Sequence, residues 1–121
     1  MKIIKNDPPS NGDVSDFLSK LNFSLSKGYL DFLQSTNGAE IYSGEVYCML
    51  WTLTDLYILN KEYAVETFIP EFFLIGSNGG DTAYAIEKDS GKIFEIPFIG
   101  MSKDEANYKF EDFNEFIKSL L

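Results

Sequence analysis

The stretch IGSNGGDTAYAIE, residues 75–87, decides how the chain is read. Two glycines and an acid separate two apolar segments, and three kinds of loop fit that pattern: a phosphate cradle, a calcium loop or a tight corner between strands. A phosphate cradle needs a helix after it, because the helix N-terminus supplies the N–H groups that hold the anion. Thr82–Glu87 instead alternates as a strand, with Ala83, Ala85 and Glu87 on one side and Tyr84 and Ile86 on the other. Gly79-Gly80 has neither the GxGxxG nor the GK[ST] spacing, and Asp81 would repel phosphate. A calcium loop asks for alternating oxygen ligands and a distant acid, and only Asn78 and Asp81 are offered. The corner fits best. Gly79 and Gly80 are both expected at positive φ, with Asp81 accepting backbone N–H bonds across the turn.

Working outward, Phe72–Ile75 and Thr82–Glu87 become strands on either side of this corner. Asp89-Ser90-Gly91 is a short hairpin loop leading to Lys92–Pro97, which alternates again. Upstream, Glu45–Trp51 (EVYCMLW) is rich in strand formers and nearly continuous in apolarity, as suits a sheet covered by other elements. Thr52–Tyr63 reads as a short helix carrying Leu56, Leu59 and Tyr63, capped by Thr54 or Thr52. The chain ends are helical. Val14, Phe17, Leu18 and Leu21 recur at helical spacing behind Asp13 as cap, after a loop at Pro8-Pro9-Ser10-Asn11-Gly12. A second helix carries Tyr29, Leu30, Phe32 and Leu33, with Ser26 as N-cap, Leu25 and Leu30 as a staple, and Asn37-Gly38 as its stop. A last helix puts Phe113, Phe116, Ile117, Leu120 and Leu121 on one stripe. Helices at the ends and a strand meander between them predict an α+β fold with a mainly antiparallel central sheet. A single domain over 1–121 is expected, with 1–12 flexible or loosely packed.

Composition narrows the function. The chain of 121 residues is 45% hydrophobic, with 11 Phe and 7 Tyr, which supports a folded core. The N-terminus lacks the apolar run of a signal peptide, no segment is long and apolar enough to span a membrane, and a lone cysteine fits a reducing compartment. These features point to a cytoplasmic location. The net charge is −9, and every base is a lysine. Between Glu40 and Glu87 there are eight acids and one lysine. Such a field repels nucleic acid and attracts basic partners, or serves solubility alone.

Catalysis finds little support. Without histidine there is no Ser-His-Asp or Cys-His arrangement and no histidine metal site. Cys48 lies within VYCML, where cysteine acts as a small core hydrophobe. Without arginine, an anionic substrate would have to be held by lysines and backbone donors. We expect no enzyme, no cofactor and no metal.

The order of motifs resembles the SMI1/KNR4 (SUKH) superfamily. Leu25, Tyr29, Phe32, Leu33, Asn37 and Gly38 match its L-P-x-x-Y-x-x-F-L…N-G helix, with Ser26 where the family often has proline. The block Phe73–Asp81 with Tyr84-Ala85-Ile86 matches its strand, Gly/Asp loop and following strand. Gly91-Lys92-Ile93-Phe94 and the pair Phe113, Phe116 with Ile117 match the hairpin and the C-terminal helix. The resemblance runs from about Phe17 to Leu121 and is weakest around residues 52–70. It implies an α+β fold and, for bacterial members, an immunity protein that binds and occludes a cognate protein toxin, often a nuclease. The alternatives are a regulatory interaction module of the fungal type or a small-molecule binder. The residues expected at a partner surface are Glu40, Tyr42, Glu45, Tyr47, Asp55, Tyr57, Glu62 and Glu66, since exposed acids and aromatics complement a basic cleft. Trp51, Gly76, Gly79, Gly80 and Asp81 are expected to hold the fold. Strands 45–51 and 72–76 are candidate open edges for a homodimer.

Overall fold

Seven strands, each paired antiparallel with the next, form one meandering sheet in the order β1 to β7. The computed structural model describes residues 2–121. The strands are β1 (Lys2–Lys5), β2 (Ala39–Ser43), β3 (Val46–Leu50), β4 (Phe72–Ser77), β5 (Thr82–Glu87), β6 (Ile93–Pro97) and β7 (Asn107–Phe110). The helices are α1 (Asn11–Ser19), α2 (Lys27–Thr36), α3 (Leu53–Glu62), α4 (Val65–Phe68) and α5 (Phe113–Leu120). The α+β class read from the sequence is what the chain adopts.

The apolar middle of the chain forms the sheet centre. All six residues of β4 are buried, as are Ala83 to Ile86 of β5, so both faces of these strands are covered. The register pairs Phe73 with Ile86, which puts Phe73, Tyr84 and Ile86 on one face. That face receives Phe17 and Phe23 against Phe73, at ring distances of 6.3 and 5.3 Å, and Phe116 of α5 against Tyr84 at 5.0 Å. α5 is the helix the sequence marks best: Phe113, Phe116 and Leu120 are buried, and the Asp112 side chain accepts the Glu115 N–H at 2.8 Å as its cap. Among the described residues no helix is long and apolar enough to cross a membrane.

The corner at residues 75–87 is a strand–turn–strand, with its chemistry assigned differently from expectation. Gly79 has φ of +84° and Gly80 is not in the positive region. Asn78, not Asp81, organises the turn: its Oδ1 accepts the N–H groups of Gly80 at 2.9 Å and Thr82 at 3.2 Å, an Asx turn. Asp81 accepts the Thr82 hydroxyl at 3.0 Å, and its carbonyl accepts the Phe98 N–H at 2.9 Å.

Gly76 is required by a close approach. β3 and β4 share only the pairs Met49↔Ser77 and Leu50↔Gly76, beside a bulge between Leu74 and Gly76. A Cβ on Gly76 would lie 2.2 Å from the Met49 carbonyl oxygen. Beyond Leu50, β3 gives way to Trp51 and then to α3, so β4 loses its strand neighbour there. The Asn60 side chain takes over. Its Oδ1 accepts the Leu74 N–H at 2.8 Å, and its Nδ2 donates to the carbonyls of Leu74 and Leu56, both at 2.9 Å. One amide thus supplies the pair of bonds that a neighbouring strand would make, as buried backbone groups require.

Other local readings need correction. β1, β2 and β7 are strands beyond those the sequence predicts. β1 pairs its backbone with β2 from Lys2↔Tyr42 to Lys5↔Ala39 while its side chains stay largely exposed. Because β2 and β5 flank β3 and β4, strands 45–51 and 72–76 are interior and the sheet edges are β1 and β7. Lysines at both ends of β1 blunt that edge, as charged edge strands do. Ser10, not Asp13, caps α1, accepting the Asp13 N–H at 3.1 Å, and Asn11 and Gly12 are helical rather than loop. Thr52, not Thr54, caps α3. Ser26 takes N-cap backbone geometry, but its hydroxyl makes no capping bond and is buried without a partner.

Candidate functional site

Five of the eight residues expected at a partner surface fall into two separate places, and three of these five form a compact group. In the β2–β3 hairpin, Tyr42 stands opposite Tyr47, and Glu40 opposite Met49. β1 extends the same face with Lys2 beside Tyr42 and Ile4 beside Glu40. The inward face of the hairpin carries Ala39, Ile41, Cys48 and Leu50, all buried. Period-two alternation therefore turns Glu40, Tyr42, Tyr47 and Met49 outward. The rings of Tyr42 and Tyr47 lie 4.9 Å apart, inclined at 51°. Tyr42 donates its hydroxyl to Glu40 Oε2 at 3.0 Å, and this bond holds the tyrosine pKa above its ordinary value. Tyr47 is also raised, first by desolvation and then by the Glu40 charge. The Tyr47 ring lies over Gly79, where a Cβ would come within 2.7 Å of it. The Gly/Asp corner therefore seats the half-buried ring of this pair, while Tyr42 is exposed.

Tyr57 and Glu66 belong to a second region, a groove of about 470 Å³ between the end of α1 and the α3–α4 segment. Phe17, Leu21, Phe23, Val65 and Phe73 give it an apolar lining. Lys20 sits 4.6 Å from the Tyr57 ring centre and pairs with Asp16 at 3.0 Å. Lys88, largely buried, pairs with Glu66, donates to Asn22 Oδ1 at 3.1 Å and lies 5.3 Å from the Phe23 ring centre. Every charged group of this lysine–glutamate network already has its counter-ion. Glu45, Asp55 and Glu62 are exposed and join neither group; among the described residues their carboxylates make no ion pair or hydrogen bond.

The residues expected to hold the fold have defined places. Trp51 is buried and stacks on Phe98 at 6.4 Å, and Phe98 in turn meets Tyr63 at 4.8 Å. Gly76 and Gly79 are fixed by steric demand, whereas a Cβ on Gly80 would have only the Asn78 Oδ1 nearby, at 3.6 Å. Sequence reasoning missed Ile4, Lys2 and Met49 on the hairpin face, and Lys88, Asn22 and Phe23 at the groove. The alternation of Ala39-Glu40-Ile41-Tyr42 was the available signal for the hairpin face. Nothing in the sequence connects Lys88 to Glu66.

Burial pushes the Cys48 thiol up to about 12, so it is a poor nucleophile near neutral pH. Among the described residues no group of three or more Cys, Asp or Glu side chains converges to hold a metal ion.

No curated protein matches the chain. The sequence pattern of the SMI1 / KNR4 family (SUKH-1) matches residues 8–119, from ahead of α1 into α5, and leaves β1 outside. With the helix–meander–helix order and the Gly/Asp corner in place, the chain belongs to the SMI1/KNR4 family (SUKH-1).

Proposed function

We propose that this protein is an immunity protein that neutralises a cognate protein toxin by binding it, with no chemistry of its own. The observation that carries this reading is the outward hairpin face, where Tyr42, Tyr47 and Ile4 surround a carboxylate in a chain of net charge −9. The exposed Tyr42 and the half-buried Tyr47 supply rigid contact area, and the acidic field speeds encounter with a basic partner such as a nuclease cleft. A small-molecule site would be favoured by converging carboxylates in a deep pocket. The α1–α3 groove offers only Glu66, already neutralised by Lys88.

Co-expression with the toxin encoded beside it tests the reading. Cells producing the toxin are expected to survive with the wild-type protein. Tyr42→Ala with Glu40→Lys is expected to weaken binding on the order of 100-fold and to lose protection. Failure of the wild-type protein to protect or to co-purify with that toxin would refute the proposal.

A further inference from the structure

The geometry points to a specific chemistry at the hairpin face: Glu40, Tyr42 and Tyr47 form a receptor for an arginine side chain supplied by the partner protein. This deepens the reading of that face as the partner surface and rests on it. The antiparallel register places Tyr42 and Tyr47 directly opposite one another, and Glu40 two residues from Tyr42 on the same face. Their rings, 4.9 Å apart, offer adjoining π surfaces, and the Tyr42 hydroxyl bond at 3.0 Å fixes the carboxylate at their margin. That bond uses one oxygen of Glu40, and the other retains its acceptor capacity. A planar cation fits such a surface: its face stacks on a tyrosine ring while its N–H groups reach the carboxylate.

Charge complementarity selects the occupant. Glu40 forms no ion pair among the described residues, although six other acids in the chain are paired with lysines. Lys2, the cation that the β1 register brings to this face, stands beside Tyr42 and does not bridge to Glu40. The protein contains no arginine, so a guanidinium can reach the site only from another molecule. Arginine suits the site better than lysine, because a compact ammonium cannot stack and pair in one plane. The site is also seated firmly, since the Tyr47 ring rests on Gly79, where even a methyl group would collide with it.

The test needs no toxin. Tyrosine ring resonances are followed by NMR while N-acetyl-arginine methylamide is titrated in, with the matched lysine and citrulline derivatives as probes. The expected result is a saturable shift of the Tyr42 and Tyr47 rings with the arginine probe, binding several-fold tighter than the lysine probe and with no response to citrulline. Glu40→Gln is expected to weaken the arginine probe about tenfold. Tyr42→Leu, at an exposed position, is expected to weaken it further, with the fold checked by circular dichroism. No saturable shift, an equal response to citrulline or lysine, or no effect of Glu40→Gln would overturn the assignment. Because the probe is a free amino-acid derivative, the result is independent of whether the neighbouring toxin is the true partner.

Discussion

Gly76→Ala is expected to destabilise the protein by about 3 kcal/mol, lowering its thermal midpoint on the order of 10 °C. The added methyl would stand 2.2 Å from the Met49 carbonyl oxygen and 3.2 Å from the Leu50 Cα. Backbone atoms on a neighbouring strand cannot turn aside as a flexible side chain can. The only relief is to push β3 away from β4 where two residue pairs join them. That joint holds the β1–β3 part of the sheet, and so the hairpin face, against the buried β4–β5 centre. Gly80→Ala, in the same corner, is the internal control. Its nearest neighbour would be the Asn78 side chain at 3.6 Å and its φ is not positive, so it should change stability by less than about 0.5 kcal/mol. Thermal and urea unfolding of the two variants decide the matter, and equal midpoints would show that the close approach is not what the glycine serves.

Asn60→Leu is expected to cost a similar amount, about 3 kcal/mol, for a different reason. It deletes three bonds of 2.8 to 2.9 Å and leaves the Leu74 N–H and C=O without the strand-like partner they have. Leucine is close in size, so the loss reports the orphaned backbone groups rather than a cavity. Asn60→Asp should fare no better, since a carboxylate would face the carbonyls of Leu56 and Leu74 in place of a donor. Hydrogen exchange gives the sharper measure. The Leu74 amide should exchange far faster in Asn60→Leu, beyond what the global loss of stability explains, and unchanged protection there would rule out the surrogate-strand role.

Both effects show where sequence reading stops. The spacing GSNGGD announces a corner, but only the structure shows that Gly76 answers to Met49 across a bulge and that Asn78 organises the turn. β4 is legible as a continuous apolar run buried on both faces, β5 and β6 by their alternation and α5 by its helical stripe. β1, β2 and β7 are not legible. As edges, β1 and β7 keep polar side chains in solvent. The same gap explains the mixed fate of the partner residues. Glu40, Tyr42 and Tyr47 come together because a hairpin pairs them, whereas Tyr57 and Glu66 are drawn to the groove by Lys20 and Lys88, the latter distant in sequence. Net acidity marked a surface-rich region but not which acids share a face.

We propose above that the protein binds a basic protein partner through the outward face of the β2–β3 hairpin. Calorimetric titration of the purified toxin domain tests it most directly, comparing the wild type with Glu40→Gln and Glu62→Gln. Tight one-to-one binding is expected of the wild type, about tenfold weaker binding of Glu40→Gln, and no change for Glu62→Gln on the outside of α3. Absence of binding by the wild type, or equal affinity for the wild type and Glu40→Gln, would contradict it.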